Sequence, residues 1–80
     1  MKAKVYVTIQ QNVLDPQGSA AEKSLQSLGF NEVGKVRIGK FIEIELDTND
    51  RNEAEKRVKE MCEKLLVNVE VEDYRFELEG

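Results

Sequence analysis

The chain has 80 residues, with 12 Lys and Arg against 16 Asp and Glu and no histidine, so its formal charge is −4. Hydrophobic residues make up 40% of it, which is enough for one small core, and we therefore expect a single domain over residues 1–80. The lack of histidine excludes Ser-His-Asp and Cys-His catalytic arrangements. The single cysteine, Cys62, excludes an internal disulfide and a CxxC metal site.

Partners and location are also limited by composition. No apolar run reaches the roughly 18 residues of a membrane span, and residues 1–10 alternate like a strand rather than forming a signal peptide. An acidic balance disfavours binding to a phosphate backbone. We therefore expect a reduced, cytoplasmic protein whose partner is neither a membrane nor a nucleic acid.

The apolar pattern predicts the element order β-α-β-β-α-β. Residues 2–11 alternate as a half-buried strand. Asp15 then provides an N-cap, Pro16 the first helical position and Gly29 the C-terminal stop of a first helix. Residues 33–46 read as two strands, and their parity requires a three-residue turn or bulge at 39–41 (Gly-Lys-Phe).

The second half of the chain predicts a helix and a last strand. Several capping residues at 48–50 (Thr-Asn-Asp) precede an apolar stripe that runs from Ala54 to Leu66. In the last strand, apolar parity switches near Glu72, which indicates either a bulge or a strand whose later half alone faces the core.

This order is typical of an α+β, ferredoxin-like βαββαβ two-layer sandwich, in which two helices cover one face of a four-stranded antiparallel sheet. The other face of the sheet has no cover within the chain. Because a core in a chain of this size rarely supplies more than roughly 3–5 kcal/mol, we expect self-association, as a homodimer or a homotetramer.

No residue qualifies as catalytic, cofactor-binding or metal-binding. Cys62 lies on the apolar stripe with no histidine to activate it, so it is interpreted as a small buried hydrophobe. Glu43 and Glu45 share one strand face, and such pairs are usually solvated carboxylates. Residues 39–45 superficially resemble the longer signature of the RNA recognition motif, but Glu43 stands where the second stacking aromatic belongs.

The segment from Asp15 to Gly18 has the most unusual local composition. Gly18 lies in the first helical turn, where glycine costs roughly 1 kcal/mol relative to alanine. It indicates either a tight turn alone, or a close approach of another backbone, or free backbone N–H groups at the helix start.

Several segments together resemble one known family. The sequences VLDPQG, LGF, VRIGKFIEI, MCEKLL and EDY occur here at 13–18, 28–30, 36–44, 61–66 and 72–74. In that order and spacing they resemble PurS, the small subunit of bacterial and archaeal phosphoribosylformylglycinamidine synthase. The resemblance covers nearly the whole chain.

The resemblance implies a role in purine biosynthesis. The complex converts formylglycinamide ribonucleotide, glutamine and ATP to formylglycinamidine ribonucleotide. A glutaminase subunit releases ammonia, and a large synthetase subunit uses ATP and Mg²⁺. The small subunit is implied to be a non-catalytic part of this ligase, without a cofactor of its own, that bridges the other two and supports ammonia transfer.

The partner-binding residues follow as a hypothesis from local composition at the helix start and the turn. They are Asp15, Pro16, Gln17, Gly18, Arg37, Gly39 and Lys40. A regulatory ligand-binding module of the ACT type shares the ferredoxin-like order and is the alternative function, although no ligand loop can be named for it.

Overall fold

A computed structural model describes residues 1–80. Its elements are β1 (Lys2–Ile9), α1 (Pro16–Ser27), β2 (Gly39–Glu45), α2 (Arg51–Met61), a π-helical turn (Cys62–Leu66) and β3 (Glu72–Glu79). The three strands form one sheet in the order β2-β1-β3, and β1 is antiparallel to both neighbours. Neither α1 nor α2 has the length or the apolar composition of a membrane-spanning helix.

The core lies on one face of this sheet. Ala3, Val5 and Val7 alternate along β1, which places them on the same face, and all three are buried. Val58 of α2 and Cys62 of the π-helical turn pack against them. In the flanking strands, the half-buried partners of this core include Ile42, Ile44, Tyr74, Phe76 and Leu78.

The predicted turn at residues 39–41 is wrong, because β2 runs straight through these residues. Gly39 pairs with Thr8 and Phe41 pairs with Tyr6, in register with the rest of the strand. Residues 33–38 precede β2 without pairing in the sheet: β1 ends at Ile9, and the Ile38 amide donates to the Asp15 carboxylate instead of to a strand.

The predicted four-stranded sheet is therefore corrected to three strands, and the placement of two helices on one face is corrected as well. Among the helical elements, only α2 and the π-helical turn contribute to the core, whereas α1 contributes no residue to it. The chain is elongated, measuring 49 × 25 × 14 Å, with a radius of gyration of 16.0 Å. A compact domain of this length would have about 12 Å.

The predicted helix ends are confirmed. The Asp15 carboxylate caps α1 by accepting from the Gly18 amide, Pro16 is the first helical residue, and Gly29 follows the helix with a φ of +100°. Asp50 caps α2 by accepting from the amides of Asn52 and Glu53. The last strand is shorter than predicted, because residues 69–71 form a turn and β3 starts only at Glu72; its apolar residues Tyr74, Phe76 and Leu78 face the core and no bulge is needed.

Candidate partner-binding site

The structure brings the two predicted partner-binding segments together at the start of α1. Asp15 accepts the Gly18 amide on Oδ1 at 3.0 Å and the Ile38 amide on Oδ2 at 2.9 Å. The bond from Ile38, followed by that from Gly18, holds the pKa of the Asp15 carboxyl below its usual value. One side chain thus caps a helix and ties it to the residues that lead into β2.

Gly18 is required at this junction for steric reasons. It is buried, and a Cβ at this position would lie closer than 3.0 Å to the carbonyl oxygen of Val36, a separation that real Cβ atoms essentially never show. Of the readings the sequence left open for Gly18, the close approach of another backbone is confirmed. The glycine lets α1 and the strand-leading segment touch through their backbones.

Arg37 and Gly39 also make contacts within the chain. The Arg37 guanidinium donates through Nη2 to the carbonyl oxygen of Ile9, where β1 ends. A Cβ on Gly39 would collide with the carbonyl oxygen of Val7. Their presence is therefore explained at least in part by the fold.

Pro16, Gln17 and Lys40 complete the predicted set, and all three are exposed. Pro16 and Gln17 lie in the first turn of α1, and Lys40 lies near the start of the edge strand β2. Their side chains are accessible to another protein. Whether they contact a partner stays a prediction.

Sequence reasoning missed a second group of candidate contact residues, which are large, apolar and exposed. Leu14 is 78% exposed and Leu28 is 74% exposed at opposite ends of α1, and Phe30 follows at 48%. Because α1 contributes nothing to the core, these three side chains at its two ends stay largely exposed, although Leu25 within the helix is half-buried. Both LGF at 28–30 and VLDPQG at 13–18 carried the family resemblance, and this was the available signal.

A groove of about 480 Å³ lies beside β2, α2 and the π-helical turn. Leu65 at its edge is 83% exposed, the largest exposure among the exposed large hydrophobic residues. The groove is lined by Ile44, Arg57, Glu60, Met61, Lys64, Leu65 and Leu66. Four of these lining residues are apolar and three are charged, a mixture that is found at protein contact surfaces.

The face of the sheet opposite the core is charged and paired. The Lys2 ammonium donates to Glu43 at 2.6 Å, which lowers the pKa of that carboxyl, and Lys4 pairs with Glu79. The Tyr6 ring lies 5.1 Å from the Phe41 ring and 4.0 Å from the Arg75 guanidinium carbon. Glu43 is thus held ionised beside a lysine, which is the opposite of what a general acid needs.

Groups that could act chemically are scarce. Cys62 is fully buried, and burial, followed by the charge of Glu63, raises the pKa of its thiol. No group of three or more acidic or cysteine side chains is arranged to hold a metal ion. The described side chains therefore offer surfaces and contacts rather than an activated nucleophile.

Comparisons with known proteins agree with this geometry. The family model PurS, described as phosphoribosylformylglycinamidine (FGAM) synthase, matches residues 2–80. The phosphoribosylformylglycinamidine synthase subunit PurS of Bacillus subtilis (strain 168) is 54% identical over 78 residues, which cover 98% of this chain and 92% of that protein.

Solved structures give the same family. The structure of B. subtilis PurS superposes with a TM-score of 0.88 at 53% identity, covering 99% of this chain and 98% of that one. A chain in the structure of PurLQS from Thermotoga maritima superposes with a TM-score of 0.86 at 37% identity, covering 95% and 93%. The match extends over nearly the full length in every case, and this chain belongs to the PurS family.

Proposed function

We propose that this chain is the small subunit of a phosphoribosylformylglycinamidine synthase and that it bridges a glutaminase subunit and a large synthetase subunit. The observation that carries the proposal is the full-length likeness to PurS chains, one of which lies within the PurLQS structure. The assembled enzyme makes formylglycinamidine ribonucleotide from formylglycinamide ribonucleotide, glutamine and ATP in purine biosynthesis.

The mechanism of such a subunit is geometric. Ammonia that escaped into water would be diluted and mostly protonated, and would lose its nucleophilicity. Docking the glutaminase against the synthetase gives the ammonia a short protected path, which raises the rate of the coupled reaction without a bond being made by the docking subunit. ATP and Mg²⁺ act on the synthetase subunit, and this chain binds neither and carries no active site.

The side chains of this chain support such a role. Its single thiol is buried and its paired carboxylates are neutralised by lysines, whereas its large apolar residues are exposed at the ends of α1 and beside the groove. Exposed apolar residues on a small core also support self-association as a homodimer or homotetramer. The single cysteine forms no disulfide, which supports a location in the reducing cytoplasm.

The regulatory alternative is not favoured, because the family model and the full-length relatives all carry the PurS description. An ACT-like module would bind free amino acids and would show a shift of thermal unfolding in their presence.

Complex formation tests the proposal. We expect the purified chain, mixed with glutaminase and synthetase subunits, to form one species containing all three in size-exclusion chromatography with light scattering. Gln17→Ala and Arg37→Ala, alone and combined, should weaken that species, whereas Gln11→Ala and Arg51→Ala, at exposed positions outside the predicted set, should not. Unchanged assembly of the double variant would remove Gln17 and Arg37 from the contact surface.

A further inference from the structure

The outer edge of β2 carries backbone groups that have no partner within the chain. The Leu46 amide donates to the Met1 carbonyl at 2.7 Å, and the Met1 amino group donates back to the Leu46 carbonyl at 3.2 Å. Because antiparallel pairing alternates, the even-numbered residues of β2 direct their N–H and C=O groups to β1 and the odd-numbered ones direct theirs to the open edge. The odd-numbered residues are Gly39, Phe41, Glu43 and Glu45. Such an edge is a template for another strand.

The residues that precede β2 continue this edge. Residues 33–38 lie beyond the end of β1 and outside the sheet. The Ile38 amide is taken by Asp15, whereas the amides of Lys35 and Arg37, on the odd alternation, form no backbone hydrogen bond. Unpaired backbone groups therefore extend on both sides of Gly39.

The apolar residues of this stretch are complementary to a second copy of the same stretch. When two copies run antiparallel with Lys40 opposite Lys40, Ile38 of one copy lies opposite Ile42 of the other. In the same register Val36 lies opposite Ile44. Ile42 and Ile44 pack against the core, so the second copy would extend the core-facing apolar surface of the sheet.

The charged residues of the stretch match in the same register. Lys35 lies opposite Glu45, and Arg37 lies opposite Glu43. Neither Lys35 nor Glu45 has an ion pair within the chain. Each copy thus brings two cations to two carboxylates of the other, on the face of the sheet away from the core.

Lys40 distinguishes this register from its neighbours. A shift by one residue would set core-facing side chains against outward-facing ones. A shift by two residues would place Lys40 opposite Ile38 or Ile42. With Lys40 opposite itself, the one like-charge pair lies at the symmetry axis between exposed side chains, where solvent screens the repulsion.

The groove beside β2 lies where the added strand would run. Ile44 lines it together with residues of α2 and the π-helical turn, and no residue of β1 does, so the groove is on the outer side of β2. Val36 of a second copy, opposite Ile44, would enter the groove next to Leu65 and Leu66. An apolar side chain would thus cover part of its apolar lining.

We propose that two copies of this chain pair antiparallel along their β2 edges, centred on Lys40, so that residues 35–38 of each copy form the fourth strand of the other copy's sheet. These are the pairs that a hairpin around residues 39–41 would have made within one chain. Because the chain runs straight through Gly39, the pairing passes to a second copy, as in the exchange of an element between protomers. The proposal specifies the self-association proposed above and does not depend on the bridging role.

Disulfide formation at the symmetry axis tests the pairing on the chain alone. Even-numbered residues would form the closely spaced pairs, with Cα atoms about 4.5 Å apart, a distance that a disulfide can span. Lys40→Cys should therefore oxidise to a covalent dimer at least about tenfold faster than Lys56→Cys, the matched control at an exposed lysine of α2. Wild type reports on the buried Cys62. Equal rates for the two variants, read on non-reducing gels, would overturn the proposal.

Charge reversal tests the register. Lys35→Glu and Glu45→Lys should each weaken the dimer about tenfold, because two equivalent pairs become repulsive, and the combined variant should recover the affinity of wild type. Lys56→Glu, the same charge change away from the edge, should leave the dimer unchanged. Light scattering over a range of concentrations provides the measurement. A monomeric wild-type chain at high micromolar concentration, single variants without effect, or a combined variant without recovery would each contradict the proposed pairing.

Discussion

Gly18 and Val36 touch backbone to backbone, in a space too small for the Cβ that any other residue would carry. This contact joins two segments, VLDPQG at 13–18 and VRIGKFIEI at 36–44, that are far apart in the sequence. It explains why a glycine occupies the first turn of a helix, where its flexibility is otherwise costly. The helix loses some intrinsic stability and gains its attachment to the strand-leading segment.

Gly18→Ala should destabilise the chain by about 2 kcal/mol, because either the helix or the Val36 carbonyl must move. Gly34→Ala is the matched control, since a Cβ there meets nothing within 4 Å and Gly34 has no positive φ. That substitution should be neutral or stabilise by up to about 1 kcal/mol through the unfolded state. Urea unfolding of both variants checks this, and equal free energies of unfolding would contradict the steric argument.

The helices could be predicted from local chemistry, whereas the strand pairing could not. Asp15, Pro16 and Gly29 act within a few residues of themselves, so their roles can be read from the sequence. Residues 36, 38, 40, 42, 44 and 46 share one parity, and only Lys40 among them is polar. A hairpin with a two-residue turn at Gly39 would place Ile38 and Ile42 on opposite faces of the sheet. The prediction therefore needed a third residue in the turn. In the structure the chain does not turn at Gly39 but continues in one direction through β2, so the alternation is kept without a bulge.

The residues of the junction at the start of α1 were singled out by the sequence, but their contacts within the chain were not predicted. Unusual composition singled out Asp15, Gly18 and Arg37, but the sequence could not show that they contact other parts of the same chain. The missed residues, such as Leu28 and Leu65, follow regular apolar patterns. Leu65 lies within the apolar stripe of the second helix, and such a stripe does not by itself reveal which of its side chains a sheet covers.

Acid should weaken the contribution of Asp15. The bonds from Ile38 and Gly18 hold the pKa of this carboxyl below the ordinary value of about 3.9. A carboxyl with a lowered pKa in the folded state stabilises the fold above its unfolded pKa, and this stabilisation is lost as the pH falls through the folded pKa.

The stability difference between wild type and Asp15→Asn should therefore be largest near neutral pH and shrink below about pH 4. Urea unfolding of the two proteins across this range provides the measurement. The Glu43 carboxyl, whose pKa is lowered by Lys2, is present in both proteins and its effect cancels in the difference. A difference that stays constant from neutral to acidic pH would show that the Asp15 charge contributes nothing to folding.

Truncation of Val58 should destabilise the chain far more than the same truncation of Val69. Val58 is fully buried against β1, whereas Val69 is 51% exposed. We expect Val58→Ala to cost about 2 kcal/mol, through lost burial and the cavity that remains. Val69→Ala should stay within about 0.5 kcal/mol of wild type. Chemical denaturation measures both, and similar losses would place the core elsewhere.

Cys62 should resist thiol reagents in the folded chain. Its side chain is inaccessible, and burial raises the pKa of the thiol, so little thiolate is present to react. A maleimide or disulfide reagent at mildly alkaline pH should label the thiol slowly without denaturant and completely in urea. Rapid labelling without denaturant would mean that the contact between the π-helical turn and β1 opens readily.

The most direct test of the bridging role measures two rates in the reconstituted synthase, one with glutamine and one with ammonia as nitrogen donor. If this chain couples the two active sites, its omission should abolish the glutamine-dependent rate while the ammonia-dependent rate of the synthetase persists. Restoring the chain should restore the first rate. Equal rates with glutamine in the presence and absence of the chain would contradict the account.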